Sequence, residues 1–403
     1  MNDKLLNGNK FQKSADVVVV GGGVIGTAIT YFLARDGVDV CLLERYDIAA
    51  GTSSAAAAAA LLQTKTSPKK LALARKSLDL LDDLYEQLDQ QFEYEHSGSL
   101  LVASSETEMN VVKDMVALSN RLGLDVQLID GDEARSIMPI LGPAAIGASY
   151  SPRDAVLNPL KLVVAYATAA RRLGANIRIF TEVIDIETDN NRILSVLTNK
   201  GKIYTNTVIN AAGVWATQLA KMVGIDLPVT PLKGELLITQ PMPPVIRGTL
   251  ISAKYLLGKA KLEKSGDEKM PKRSVGITLA QVERGNCIVG STREQAGFDR
   301  QSSHAGISEL ACQLLELVPR MGNVHLIRAY AGLRPITPDG LPIIGRVPKL
   351  PGFVIAAGYG GDGLALSAVT AEIISEIFND TADSDTLASF SPSRFSAIQV
   401  DDM

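Results

Sequence analysis

The 403-residue sequence predicts a mixed fold, α/β plus α+β: a Rossmann-like domain, discontinuous in the chain, with an antiparallel-sheet domain inserted into it. Three observations predict it. A buried strand, a glycine turn, a helix and a second strand ending in an acid occupy residues 16–44. A second strand, glycine loop and helix occupy residues 353–377. Between them, residues 226–327 read as strands interrupted by proline, as in LPVTPLKGELLITQPMPP.

Composition narrows the classes. Hydrophobic residues at 46% against 21% charged exclude disorder as the dominant state. A net charge of −4 with no polybasic run excludes a nucleic-acid footprint. Cys41, Cys287 and Cys312 are scattered and form no CxxC, so neither a disulfide framework nor a cysteine-ligated metal is expected, and a reducing, cytoplasmic setting fits. Residues 1–14 are polar and lack the apolar core of a signal peptide. Residues 17–34 are nearly uncharged, but Gly21, Gly22, Gly23 and Gly26 divide them into strand, turn and helix, so no membrane span is expected.

In chain order, residues 16–20 are a β-branched strand, followed by G-x-G-x-x-G at Gly21, Gly23 and Gly26. Ile25, Ile29, Phe32 and Leu33 give the next helix an apolar face, and Gly37 suits its stop. VDVCLL (38–43) is the second strand, ending at Glu44. The chemistry needs each part. Gly21 permits the turn, Gly23 lets a pyrophosphate approach the backbone, and Gly26 lets helix and strand pack closely. The helix N-terminus offers amides and a positive dipole end to a diphosphate. Glu44 accepts from ribose hydroxyls and would repel a 2′-phosphate. The motif alone does not separate FAD from NAD.

Thr52, Ser53 and Ser54 are N-cap candidates for a short helix through alanines 55–60. An alanine face would let a flat ring lie against it; equally, alanines form helix well in a crowded core. Residues 69–89 form an amphipathic helix whose stripe of Leu71, Ala74, Leu78, Leu81, Tyr85 and Leu88 is core. Residues 92–150 mix short strands with one helix and turn at Gly98, Gly123 and Gly131. Asn158 and Pro159 open another helix that ends near Gly174. Strands follow around 176–188, 192–198 and 202–205, and then 207–210, which leads into Ala211, Ala212 and Gly213. Residues 259–273 read as a mobile charged loop. Leu310, Leu314 and Leu317 mark a core helix. His96, His304 and His325 share no ligand spacing, so no metal site is expected. The last unit has a strand at 353–357, four glycines within 358–363, and a helix with Leu366, Val369, Ile373 and Ile377 buried.

Four separated segments carry a resemblance: VVVVGGGVIG with LLERY, GTSSAAAAAALL, VINAAGVWA (208–216), and AGLRPITPDGLPIIG with GFVIAAGYGGDGLAL (331–366). Together, over residues 15–380, they resemble the D-amino-acid oxidase-like superfamily of FAD-dependent oxidoreductases, in its glycine/sarcosine oxidase branch. The resemblance implies non-covalent FAD; no cysteine sits near the motifs to make a cysteinyl flavin. Besides Gly21, Gly23, Gly26 and Glu44, it implies cofactor contacts from Val24, Ile25, Arg45, Thr52, Ser53, Ala57, Ala58 and Ala59. It places Val183 beside the adenine and Ala212 and Gly213 near the diphosphate. Gly360, Gly361, Asp362, Gly363, Leu364 and Ala365 would lie against the flavin, where a helix N-terminus stabilises negative charge over N1 and the C2 carbonyl.

Arg334 matches the arginine that holds the substrate carboxylate in glycine-oxidase-like relatives. A guanidinium suits a carboxylate through two parallel hydrogen bonds. The alternative is an arginine that braces the loop at 337–339 through an internal ion pair. Tyr359 is the second candidate catalytic residue. The sequence departs from the simple oxidases. It has no second basic residue near Gly361 and no aromatic around Gly276, Ile277 and Thr278. GSTREQAGF (290–298) and the loop with Asp362 resemble catalytic subunits of heteromeric opine, hydroxyproline or proline dehydrogenases and cyanide-forming glycine dehydrogenase. That resemblance implies oxidation of the C–N bond of an amino or imino acid by hydride transfer to flavin N5. It also implies partner redox subunits and a location in the cytoplasm, or at the membrane periphery through those partners. Two other readings stay open: a stand-alone oxidase making hydrogen peroxide, and a flavin-bearing structural subunit without turnover. The expected division is a FAD-binding domain from 1–90, 151–225 and 328–403 and a substrate-binding domain from 91–150 and 226–327.

Overall fold

Strand Val17–Val20 is the middle of a six-stranded sheet because its four valines are buried on both faces. Val17 and Val19 pack under helices, while Val18 and Val20 face the opposite layer, as alternation along a strand requires. In this computed structural model, which describes residues 13–54, 59–89, 92–263 and 273–395, the sheet order is Ile343–Val347, Leu350–Ala357, Thr207–Asn210, Val17–Val20, Val40–Leu43, Asn176–Arg178. All neighbours are parallel except the first pair. Helices Val24–Arg35, Pro159–Arg172 and Gly363–Phe378 pack on one face, with Pro68–Gln87 against the last of them. The other face is covered by a three-stranded antiparallel sheet of Val183–Asp189, Arg192–Thr198 and Gly201–Tyr204.

The second body is an eight-stranded sheet, ordered Leu326–Ile336, Thr230–Thr239, Cys287–Glu294, Arg273–Gln281, Thr249–Ser252, Ser99–Ala103, Gly147–Ser151, Gln127–Asp130. It is antiparallel except for one parallel pair, Thr249–Ser252 with Ser99–Ala103. Helix His304–Leu317 backs it through Leu310, Leu314 and Leu317. On the opposite face Leu101, Ala103 and Ile251 pack against helices Glu106–Arg121 and Ala253–Glu263, while Leu236, Thr278 and Ile288 line a cleft shared with the parallel sheet.

Four local expectations need correction. Residues 92–150 hold two helices, Glu106–Arg121 and Gly131–Ile137. Gly131 starts a helix instead of turning because Asp130 and Glu133 form a reciprocal capping box. The stretch 176–188 is two strands in two different sheets, broken where Phe180 adopts φ +52°. The stretch expected as a loop from residue 259 is helix as far as Glu263, because helix Ala253–Glu263 runs past that point; residues 264–272 lie outside the described residues. Ala59–Ala60 is a short strand paired with Ala155–Val156, not helix, and alanines 55–58 lie outside the described residues.

Candidate active site

A cleft of about 530 Å³ runs between the parallel sheet and the eight-stranded sheet. That volume lies in the range of a small-molecule site. Of the candidate cofactor residues, Ala57 and Ala58 lie outside the described residues, and Gly26 sits behind the lining; every other one lines the cleft.

At one end the glycine turn works through close approach. Gly21 has φ +118°, and a Cβ there would come within 2.4 Å of the Ala211 carbonyl oxygen. A Cβ on Gly26 would lie 1.9 Å from the Gly21 oxygen, so helix and turn touch backbone to backbone. The first amide of helix Val24–Arg35 donates to Ser54 Oγ at 3.0 Å. Glu44 follows strand Val40–Leu43, and both its oxygens are oriented by backbone: Oε2 accepts from Gly22 N–H and Oε1 from Tyr46 N–H, each at 2.7 Å. Each oxygen keeps further acceptor capacity toward the cleft. The Arg45 guanidinium lies 4.1 Å from the centroid of the Trp215 ring, which stacks on Phe298. Val183 lines the same end.

Ala212 and Gly213 form the floor between the two ends. Gly213 (φ +60°) and Gly360 (φ +58°) both border the cleft, and a Cβ on either would meet no protein atom within 4 Å. These are places where backbone stands open to a ligand. The donor set and the bare glycines fit a dinucleotide: a helix N-terminus and glycine backbone for phosphates, an oriented carboxylate for ribose.

The second glycine loop leads into helix Gly363–Phe378. Asp362 stands at its N-cap, but its carboxylate does not cap the helix; it pairs with Lys65 Nζ at 2.6 Å and Lys70 Nζ at 3.1 Å. Both lysine side chains are buried, and by formal charge the trio sets two lysines against one carboxylate at that helix N-terminus. Tyr359 is packed in the core; its phenol faces Thr370, and burial pushes its pKa up. Leu364 and Ala365 follow on the same wall.

Arg334 lies at the other end, on strand Leu326–Ile336. Its side chain crosses the neighbouring strand directly over Gly234 and reaches the strand beyond, donating to the Thr292 carbonyl at 3.2 Å and to Ser291 Oγ. A Cβ on Gly234 would lie 2.2 Å from Nη1, so only glycine leaves this path open. Enclosure by protein, and then the charge of Arg293, push the Arg334 pKa down to about 10; it stays a cation at neutral pH. Loop bracing is not its role, because the Asp339 carboxylate takes Arg394 at 2.7 Å. A Cβ on Gly361 would rest 3.6 Å from Arg334 Cδ and Nε, so the second glycine loop and the arginine stem are in contact range.

Thr52 and Ser53 bond to the Arg334 strand, and alanines 55–58 of the helix they are expected to cap lie outside the described residues. Thr52 Oγ1 accepts from Leu333 N–H at 2.7 Å and Ser53 Oγ donates to the Leu333 carbonyl. With Ser54 on the first helix, this segment ties the glycine turn to the strand that bears Arg334. Sequence reading missed Lys65, Lys70, Trp215, Tyr255, Gly234 and Ser291. The signals available were weak: a lysine shortly after the alanine and leucine run, and the single tryptophan two residues after Ala-Ala-Gly.

Among the described residues there is no group of three or more His, Cys, Asp or Glu that could hold a metal ion, and no helix is long and apolar enough to cross a membrane. Glycine oxidase of Geobacillus kaustophilus is 30% identical over 387 residues, covering 94% of this chain and 97% of that protein. The hydrogen cyanide synthase subunit HcnC of Pseudomonas aeruginosa is 28% identical, covering 95% and 97%. The crystal structure of L-proline dehydrogenase from P. horikoshii superposes with a TM-score of 0.85 at 27% identity, covering 96% of this chain and 98% of that one. Residues 16–377 match the model of the family described as FAD dependent oxidoreductase, and to that family of flavoenzymes the chain belongs.

Proposed function

We propose that this enzyme oxidises the C–N bond of an amino or imino acid, with Arg334 as the clamp for the substrate carboxylate. The observation that carries the reading is the Arg334 guanidinium. It is laid over Gly234, oriented by Thr292 and Ser291, and open to the cleft within reach of the second glycine loop. FAD, when bound, supplies the acceptor for the hydride that leaves the substrate carbon. The relatives' printed names, an oxidase of glycine, a proline dehydrogenase and a cyanide synthase subunit, support amino and imino acids as the class.

The chain's own residues hold and orient. We place the diphosphate at Gly21, Gly23, Val24, Ile25 and Gly213, the ribose at Glu44, and the adenine between Val183 and the wall built by Arg45 and Trp215. Thr52, Ser53 and Ala59 lie along the cofactor, Gly360 to Ala365 border the flavin, and Tyr359 is a packed wall. By formal charge the trio of Lys65, Lys70 and Asp362 adds positive charge to the helix end where reduced flavin is negative. The acids that line the cleft are Glu44, Glu182 and Asp362; Glu44 is held by amides and Asp362 by lysines. Asp362 is near enough to act on the Arg334 charge but is paired with two lysines, so we assign no general base among the described residues and read the amine as binding neutral. We read the FAD domain as 1–90, 151–225 and 328–403 and the substrate domain as 91–150 and 226–327, with the Arg334 strand serving both. We read the chain as a cytoplasmic catalytic subunit that passes electrons to partner redox subunits; the likeness to a protein named as a synthase subunit supports the subunit role. The 30% identity to glycine oxidase supports a second reading, an oxidase that works alone.

The test is Arg334→Lys and Arg334→Ala in the FAD-loaded enzyme. Lysine keeps the charge and loses the fork, and a loss of ~2–4 kcal/mol in kcat/KM is expected with FAD content unchanged. Wild-type kinetics in Arg334→Ala on a carboxylate substrate refute the clamp.

A further inference from the structure

Helix Ala253–Glu263 is seated on the eight-stranded sheet by its first turn. Ser252 Oγ, just before it, accepts from Ile277 N–H at 2.8 Å. A Cβ on Gly276 would fall 2.2 Å from Tyr255 Cα and 2.5 Å from Tyr255 N, so the helix start lies directly on strand Arg273–Gln281. Farther along, a Cβ on Gly258 would come within 2.8 Å of Ser274 Oγ. Two glycines, one on each element, therefore allow a backbone approach that side chains would prevent.

Tyr255 is the residue this arrangement delivers to the cleft, where it lines the same end as Arg334, Ser291 and Thr278. Behind it stands Arg293, only 4% exposed. Its Nη1 donates to the Tyr255 carbonyl at 3.2 Å and its guanidinium carbon lies 4.0 Å from the centroid of the Tyr255 ring. No carboxylate among the described residues pairs with Arg293. A buried guanidinium without a counter-ion is costly. What it holds here is one aromatic side chain, by backbone and by ring face at once.

The rest of this end is uncharged: Leu61, Leu236, Thr249, Thr278, Ala280 and Ile288. Lys65 is committed to Asp362 and Arg293 to Tyr255. Among the described residues Arg334 is thus the one cation offered to a substrate here, and a second carboxylate would find no partner among them.

We propose that Tyr255 contacts the substrate and closes the cleft beside Arg334, that Arg293 is its positioning residue, and that the chamber they bound takes an amino or imino acid with one carboxylate and a small uncharged remainder. This rests on the reading of Arg334 as the carboxylate clamp. Selection then works by size and charge: the pinned ring sets the size limit, and the described lining, with Arg334 as its one uncommitted cation, matches one carboxylate and disfavours two.

The experiment titrates the FAD-loaded enzyme with pyrrole-2-carboxylate and with iminodiacetate, following the visible flavin spectrum, and then measures anaerobic flavin reduction by proline, N-methylglycine and an N-(1-carboxyethyl) amino acid. In wild type the monocarboxylate should bind at least about tenfold more tightly than the dicarboxylate, a difference of about 1.4 kcal/mol. Tyr255→Ala should weaken the monocarboxylate about tenfold and erase the preference for small substituents. Arg293→Met should raise KM about fivefold or more with kcat and FAD content held, and Arg293→Lys, which restores a cation under the ring, should recover part of it. Lost FAD or a lowered Tm at unchanged selectivity would show a merely structural role and overturn the proposal. So would constants within about twofold of wild type in both Tyr255→Ala and Arg293→Met, or equal affinity for the two probes in wild type. A spectrum that no carboxylate perturbs refutes the chamber itself. Carboxylates that bind while no amine reduces the flavin would instead defeat the proposed reaction.

Discussion

Replacing Gly234 with alanine separates the function of the Arg334 strand from its fold. The added methyl carbon would stand 2.2 Å from Nη1, 2.5 Å from Nη2 and 2.6 Å from Cζ of Arg334. All three are below any distance that non-bonded carbon and nitrogen tolerate, so the guanidinium must leave. The atoms that move are the far end of a flexible side chain and not backbone, so the sheet itself bears little of the cost. What is lost is the orientation set by the Thr292 carbonyl and Ser291 Oγ. A hydrogen bond to a charged group is worth ~1.5–3 kcal/mol, and the carboxylate's own pair depends on that orientation. We expect kcat/KM to fall by about 2–4 kcal/mol, that is by about 30- to 700-fold, with FAD content and Tm close to wild type. The assay is steady-state turnover with an artificial dye on the best carboxylate substrate, beside cofactor release and thermal melting. Retention of kcat/KM within about twofold would refute the path of Arg334 over Gly234 as the clamp's foundation.

Two further outcomes follow from the site. Glu44→Ala removes the shared acceptor of the Gly22 and Tyr46 amides as well as the ribose carboxylate, and should weaken FAD by ~1–3 kcal/mol in an equilibrium titration of the apoprotein; unchanged affinity would place the ribose elsewhere. If partner subunits take the electrons, the substrate-reduced enzyme should re-oxidise slowly in air-saturated buffer and turn over when a dye or co-expressed partner is supplied. Stopped-flow re-oxidation as fast as steady-state turnover, with stoichiometric peroxide, would mark an oxidase that works alone.

The parts of the fold and site legible from sequence are those whose chemistry is written in consecutive residues. The turn at Gly21, Gly23 and Gly26 needs bare backbone at fixed spacing, and the helix after it needs only a 3.6-residue stripe, so both read directly. Gly213, Gly360 and the glycine loop before helix Gly363–Phe378 are of the same kind. The Asp130–Glu133 capping box was also written in the chain, but Gly131 drew attention to itself as a turn. The remainder depends on register between distant strands. Gly234 matters only because the strand with Arg334 pairs Leu232 with Arg334 and so sets Gly234 beneath the side chain. Thr52 and Ser53 serve a strand 281 and 280 residues away. Lys65 and Asp362 meet across 297 residues. Tyr255 reaches the cleft because two glycines let one helix sink onto one strand, and no local pattern records that.

The central claim is that the cleft holds FAD and accepts hydride from an amino or imino acid fixed by Arg334. The direct measurement is anaerobic mixing of the purified yellow enzyme with a panel of D- and L-amino acids, proline derivatives, N-methylglycine and opines, after denaturation of a sample has identified the released cofactor. The account predicts FAD released without proteolysis, and loss of the visible flavin band with at least one member of the panel in wild type but not in Arg334→Ala. A different nucleotide in the supernatant, flavin retained on the precipitated protein, or a flavin band that no amino or imino acid removes would contradict it.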